Sequence, residues 1–276
     1  VRRDPGVAAV APPQISPDGR VAMVSVVPRT APTDPVTGHL VGRLPREAGR
    51  AAGPGVAVYA TGLTAVLIDL SDRVSARLPW FIAAVIAISM VLLAVEFRSI
   101  LVPVKAAILN VLSIGAAYGV VVAVFQWGWG RELLGVHEAV AIEAWVPLMM
   151  FAILFGLSMD YEVFLLSRVR EEWLESGDGH QSVTVGLAAT ARVISAAALI
   201  MASVFLAFVT TDQVVVKMLG VGLATAVLVD ATLVRLVLVP STMVLLGDAN
   251  WWLPRPFSRW SGRPAAPPAP APVDPS

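Results

Sequence analysis

Three side chains stand where chemistry in an apolar setting would need them: Asp160, Tyr161 and Asp230. Asp160 follows an uncharged run from Ala144 to Met159 and directly precedes Tyr161. An ionisable group inside a hydrocarbon layer is costly to keep, and by default it marks an ion or substrate pathway. Removal from water penalises the charged form of a carboxylate, so such a group can take up and release a proton. Tyr161 adds a hydroxyl that donates or accepts a hydrogen bond. The pair reads as a candidate proton relay, set against the plainer reading of Asp160 as a hydrogen-bonded residue that fixes helix packing. Glu162, roughly 200° around a helix from Asp160, is expected nearer the membrane surface as a partner for Arg168 or Arg170. Asp230, within Leu228-Val229-Asp230-Ala231-Thr232, is a secondary polar site. Arg235 follows it closely, so a salt bridge near the inner face competes with a functional role.

The elements that must position these residues are set by composition. Hydrophobic residues make up 57% of the 276-residue chain and charged residues 14%, with a mean hydropathy of +0.75. A soluble domain carries about 25% charged and about 45–50% apolar residues. This chain cannot cover a water-facing surface and reads as a membrane protein. Basic and acidic residues balance at 20 each, so no overall field attracts nucleic acid. With no cysteine, thiolate chemistry and disulfides are excluded. His39, His137 and His180 lie far apart, which is no metal-ligand pattern. Phosphate loops, nucleophile elbows and zinc-protease motifs are missing from the sequence. No enzyme, metal or cofactor is expected.

Five uncharged stretches are long enough, at about 1.5 Å per residue, to cross most of a ~30 Å hydrocarbon core. They lie near 79–97, 103–126, 145–167, 190–210 and 214–239. A span starting at Trp145 puts Asp160 about 22 Å down the helix axis. Arg98, Lys105, Arg168, Arg170, Arg192, Arg255, Arg259 and Arg263 fall on one side. Glu132, Glu138, Glu143 and Asp212 fall on the other, with Arg131 and Lys217 beside them. The positive-inside rule makes the arginine side cytoplasmic, which leaves the N-terminal unit outside and the C-terminus inside. Trp80, Trp127, Trp129, Trp145, Trp173, Trp251 and Trp252 fall at or just beyond span ends, as interface anchors do. Gly156, Gly186, Gly220 and Gly222 are placed to let helices approach closely.

Residues 1–78 have a different texture. Val21–Val27 and Val56–Ala60 read as strands. A helix starts at Asp34-Pro35, with Leu40, Val41 and Leu44 on its apolar side. Another begins near Thr64 and runs into the first span. This is a small α+β unit or the last piece of one. The transmembrane bundle takes 79–247, and residues 248–276 read as a Pro/Ala-rich, disordered cytoplasmic tail. The polar, Pro-rich start at Val1 is read as that of a fragment.

The run Phe155-Gly156-Leu157-Ser158-Met159-Asp160-Tyr161-Glu162-Val163-Phe164-Leu165-Leu166-Ser167-Arg168 resembles the MMPL family of the RND (resistance-nodulation-division) transporter superfamily. Asp69–Arg73, Glu96–Lys105, Phe125–Gly130, Val229–Arg235 and Trp251-Trp252 match in the expected order. The resemblance implies a proton-driven exporter of lipids or other hydrophobic molecules in the bacterial plasma membrane. It implies two similar halves, each with a ferredoxin-like porter domain and a helix bundle. This chain corresponds to the end of the second porter domain and the last five helices. Asp160 and Tyr161 fall on the family's Asp–Tyr relay pair, which works with a matching pair from the missing N-terminal half. Expected partners are membrane lipids, the hydrophobic substrate and that half, and a homo-oligomer is compatible with the reading. The alternative is a non-transporting membrane assembly or lipid-binding partner protein.

Overall fold

The computed structural model of the chain describes residues 4–252, except 33, 137–139 and 141. It opens with four short strands, β1 (Val7–Val10), β2 (Gln14–Ile15), β3 (Ala22–Met23) and β4 (Val26–Pro28). β1 pairs antiparallel with β4, and β2 with β3, so the pairs nest into one irregular hairpin. Gly19, at φ +70°, turns the tip in the left-handed region that favours glycine. Beside it the Asp18 carboxylate accepts from Ser16 Oγ (2.5 Å) and Arg20 N (3.3 Å), which holds its pKa below the usual range.

Helix α1 (Pro35–Ala52) starts as the sequence indicates. Pro35 opens it and Asp34 caps it, accepting from Val36 N at 2.8 Å. Leu40 is buried, as is Val7 on the hairpin, and Asp4 pairs with Arg43 at 2.6 Å. Residues 56–60, expected as a strand, form none. They run between Gly53, Gly55 and Gly62, all at positive φ, without a strand alongside among the described residues. Alternating β-branched residues favour extended backbone, but a strand also needs a partner to fill its ladder.

Five segments are long and apolar enough to cross a membrane: Leu63–Phe97, Leu101–Gln126, Trp145–Ser176, Gly179–Thr210 and Val214–Leu246. Each contains one expected span. The first is helix α2 (Leu63–Phe97), continuous through Pro79, so the stretch before Pro79 and the first expected span share one helix. Helix α3 (Leu101–Val121) ends in a π-helical turn, Val122–Gln126. Helices α4 (Trp145–Ser176) and α5 (Gly179–Ala207) follow, α5 capped by Asp178. The last segment is composite, with α6 (Val214–Val229), a π-helical stretch Asp230–Leu238 and α7 (Val239–Leu246). A 3₁₀ turn, Gly247–Trp251, packs back on the bundle. Of the tail expected over 248–276, the turn takes in residues up to Trp251, and residues 253–276 lie outside the described residues.

Helices α3, α4, α5 and α6 form the packed centre, and α2 lies at its edge with Ile88, Val91, Leu92 and Val95 exposed. Gly186 and Gly220 allow the close approach expected of them. A Cβ on Gly186 would sit 2.7 Å from Val169 Cγ2, and one on Gly220 2.7 Å from Phe205 O. At Gly222 it would meet Met150 Cε at 2.3 Å. Gly156 differs, with open space around its would-be Cβ.

The apolar core falls into two clusters. One contains Val121, Phe125, Met150, Phe151, Met218 and Leu223. The other contains Phe97, Val102, Leu165, Leu166, Val239 and Met243. Along α3, α4 and the last segment, a polar layer lies between the two.

Candidate functional site: a buried polar layer and an outward carboxylate

The layer is built from Asn110 on α3, Ser158 and Glu162 on α4, and Asp230 and Arg235 on the π-helical stretch. All five are buried. Arg235 Nε donates to Asp230 Oδ2 at 2.7 Å. Its Nη2 donates to the Ser158 carbonyl oxygen and, at 2.9 Å, to Ser158 Oγ. Ser158 Oγ lies 2.5 Å from Asn110 Oδ1 and 3.2 Å from Asp230 Oδ1, so its one proton can serve either acceptor. Asn110 Nδ2 donates to Glu162 Oε2 at 3.1 Å. The chain of groups therefore runs unbroken from Asp230 through Ser158 and Asn110 to Glu162.

The π-helix explains how Arg235 reaches Asp230. In an α-helix residues five apart point about 140° from each other. A π-turn bonds residue i to i+5 and stacks them. Thr232 Oγ1, which bonds the Leu228 carbonyl, lies on the opposite, exposed side. The expected salt bridge is thus present, buried inside the bundle.

Asp160 is not part of this layer. It lies on the exposed face of α4 with Ala152, Gly156 and Phe164, four residues apart along one stripe. Tyr161 is half-buried between the two environments. The Arg235 guanidinium carbon sits 5.3 Å from the Tyr161 ring centroid, and the Tyr161 hydroxyl donates weakly to Met201 Sδ at 3.6 Å. A cavity of about 20 Å³, room for roughly one water, is lined by Asn110, Ser158, Tyr161, Asp230 and Arg235 among others. Tyr161 follows the outward Asp160 in the chain while its ring lies against the buried Arg235.

Glu162 corrects an expectation. It is no surface partner of Arg168 or Arg170, for Arg168 pairs with Glu171 and Arg170 donates to the Glu96 carbonyl. Glu162 is 4% exposed and points into the bundle. Asn110 and Ser158 were also missed as site residues, although an asparagine in the uncharged run of α3 was a visible signal. No group of His, Cys, Asp and Glu that could hold a metal ion occurs among the described residues.

Five apolar helices enclosing a charged layer define a polytopic α-helical membrane protein. A family model described as the MMPL family matches residues 2–270, and the chain belongs to that family. It is 41% identical over 251 residues to "Mycolic acid-containing lipids exporter MmpL11" of Mycolicibacterium smegmatis, covering 91% of this chain and 26% of that protein. It is 41% identical over 259 residues to "Heme uptake protein MmpL11" of Mycobacterium tuberculosis, with 92% and 26% covered. To "Trehalose monomycolate exporter MmpL3" of Mycobacterium tuberculosis the identity is 39% over 201 residues, with 73% and 21% covered. The chain thus spans about a quarter of the length of these relatives. They carry the names of transport proteins, not of enzymes.

Proposed function

We propose that the chain is the C-terminal part of a proton-driven exporter of lipids or other hydrophobic molecules in the bacterial inner membrane. Asp160 is the carboxylate that takes up and releases the proton, and Tyr161 is its hydroxyl partner. Asp230, held by Arg235, is the secondary polar site. The arginine-bearing end of the bundle faces the cytoplasm, and the β-hairpin and α1 lie outside as the last part of a porter domain. The observation that carries this reading is the placement of Asp160 on an open face of α4. A charged carboxylate facing lipid is costly, whereas small neighbours such as Ala152 and Gly156 let another helix come close. A helix from the other half of the transporter would fit that face and supply the matching relay pair.

The buried layer gives the proton's arrival a mechanical consequence. Protonation of Asp160 changes the charge beside Tyr161, and the Tyr161 ring lies against the Arg235 guanidinium. Arg235 in turn bonds α4 at Ser158 and its own helix at Asp230. A change at one residue therefore reaches two helices, which suits an alternating-access scheme. The relatives are named for different cargoes, two for lipid export and one for heme uptake. The cargo of this chain's transporter is lipid-like. The test is export by the full-length natural protein carrying Asp160→Asn. Lost export at an unchanged membrane level supports the relay, and wild-type export contradicts it.

A further inference from the structure

The cavity of about 20 Å³ beside the buried layer has polar side chains from three helical segments in its wall. They are Asn110 and Ser113 on α3, Ser158 and Tyr161 on α4, and Asp230 and Arg235 on the π-helical stretch. Apolar side chains form the rest of the wall. Arg235 is 2% exposed. Two of its three guanidinium nitrogens are held by residues of this same wall. Nε donates to Asp230 Oδ2 at 2.7 Å, and Nη2 donates to Ser158 Oγ at 2.9 Å. The third, Nη1, is buried and has no hydrogen-bond partner among the described residues. The Tyr161 ring lies 5.3 Å from the guanidinium carbon, and its hydroxyl bonds Met201 Sδ at 3.6 Å, a weak acceptor.

A buried donor left without an acceptor is costly, and more so on a charged group. Truly empty cavities in proteins are apolar, whereas polar ones above about 10–15 Å³ hold water that makes about three hydrogen bonds. The charges in the wall select the occupant. The guanidinium repels a cation, and the Asp230 carboxylate repels a bare anion. A neutral molecule that both donates and accepts suits the two together, and the volume admits roughly one water. We propose that this cavity is a one-water site whose anchor is Arg235 Nη1. The water accepts from Nη1 and from the Tyr161 hydroxyl. It donates to Asp230 Oδ1 and Asn110 Oδ1, each of which has a lone pair beyond the one that faces Ser158. The Tyr161 hydroxyl is thereby tied to the buried layer. The site asks nothing of Asp160 and stands apart from the proton-relay reading.

The test is an electron cryo-microscopy map of the full-length natural protein, fine enough to show ordered water elsewhere in the bundle. One peak is expected in the cavity, at roughly 2.7–3.2 Å from Arg235 Nη1. The same peak should persist in Tyr161→Phe, because Arg235 and Asp230 still hold the water. An empty cavity in such a map overturns the proposal. So does an ion in place of water, or an Nη1 bonded to a side chain from another part of the full-length protein. A peak lost in Tyr161→Phe gives the water to the hydroxyl and overturns Arg235 as its anchor. The relay reading fails separately, through normal export by Asp160→Asn, and that result leaves the peak in place.

Discussion

Arg235 and Asp230 are five residues apart on one helix, yet Arg235 Nε donates to Asp230 Oδ2 at 2.7 Å inside the bundle. The wide π-turn brings them together, and Ser158 on α4 accepts from the guanidinium's Nη2. π-turns within α-helices are frequent at functional sites. Here the turn converts a sequence spacing unsuited to an ion pair into a fixed one.

Breaking this pair should be costly. Asp230→Ala leaves a buried guanidinium uncompensated, a loss of about 3–5 kcal/mol. Arg235→Lys should fail to restore stability, because an ammonium cannot reproduce the planar fork that reaches both Asp230 and Ser158. Thermal unfolding of the detergent-solubilised protein checks both. A midpoint for Arg235→Lys equal to wild type would show that charge alone suffices.

The glycines divide by what surrounds them. Gly220→Ala drives a methyl to within 2.7 Å of the Phe205 carbonyl oxygen, and overpacking of this kind costs about 1–3 kcal/mol. Gly119 has open space around its would-be Cβ. Gly119→Ala should therefore be neutral or gain about 0.5–1 kcal/mol, since alanine is the better helix former. The two unfolding midpoints should move in opposite directions or differ plainly in size.

Orientation is open to direct chemistry because the sequence contains no cysteine. A single cysteine at His180, in the first turn of α5, should react with a membrane-impermeant maleimide only after the cells are opened. One at Gly19, on the hairpin tip, should react in intact cells. Reversal of that pattern would invert the proposed topology.

The α5 cap predicts an acid-sensitive contribution. Asp178 accepts from Gln181 N (3.1 Å) and His180 N (2.8 Å), and these bonds hold its carboxyl below the usual carboxylate range. A pKa depressed in the folded state gives stabilisation that is complete above the unfolded value of about 3.9. It is lost as pH falls through the lower folded value. Asp178→Asn should keep the cap and remove that part of the pH dependence, while Asp178→Ala loses the cap at every pH. Melting curves across the acid range separate the three proteins.

Much of this architecture was legible in the residues. The apolar runs mark all five spans, and Asp34-Pro35 marks the start of α1. What could not be read was which side of each helix faces inward. In a membrane bundle the lipid-facing and core-facing sides are both apolar, so α4 carries almost no amphipathic signal. Asp160 and Glu162 were rightly set on opposite faces, but only packing reveals that Glu162 faces the core and Asp160 faces out. The Asp230–Leu238 π-turn left no mark in the sequence either, because its residues are ordinary helix formers. The segment 56–60 fails as a strand for a related reason, since composition favours extended backbone without supplying a neighbour.

The central claim is that Asp160 carries the transported proton, and proton flux tests it most directly. The full-length natural protein would be reconstituted into liposomes with a lipid extract from its own cells as cargo. A pH gradient would then be imposed, and internal pH followed with a trapped dye. The account predicts protein-dependent proton movement that Asp160→Asn abolishes, with the variant inserted at the same density. Equal flux through wild type and Asp160→Asn would contradict it.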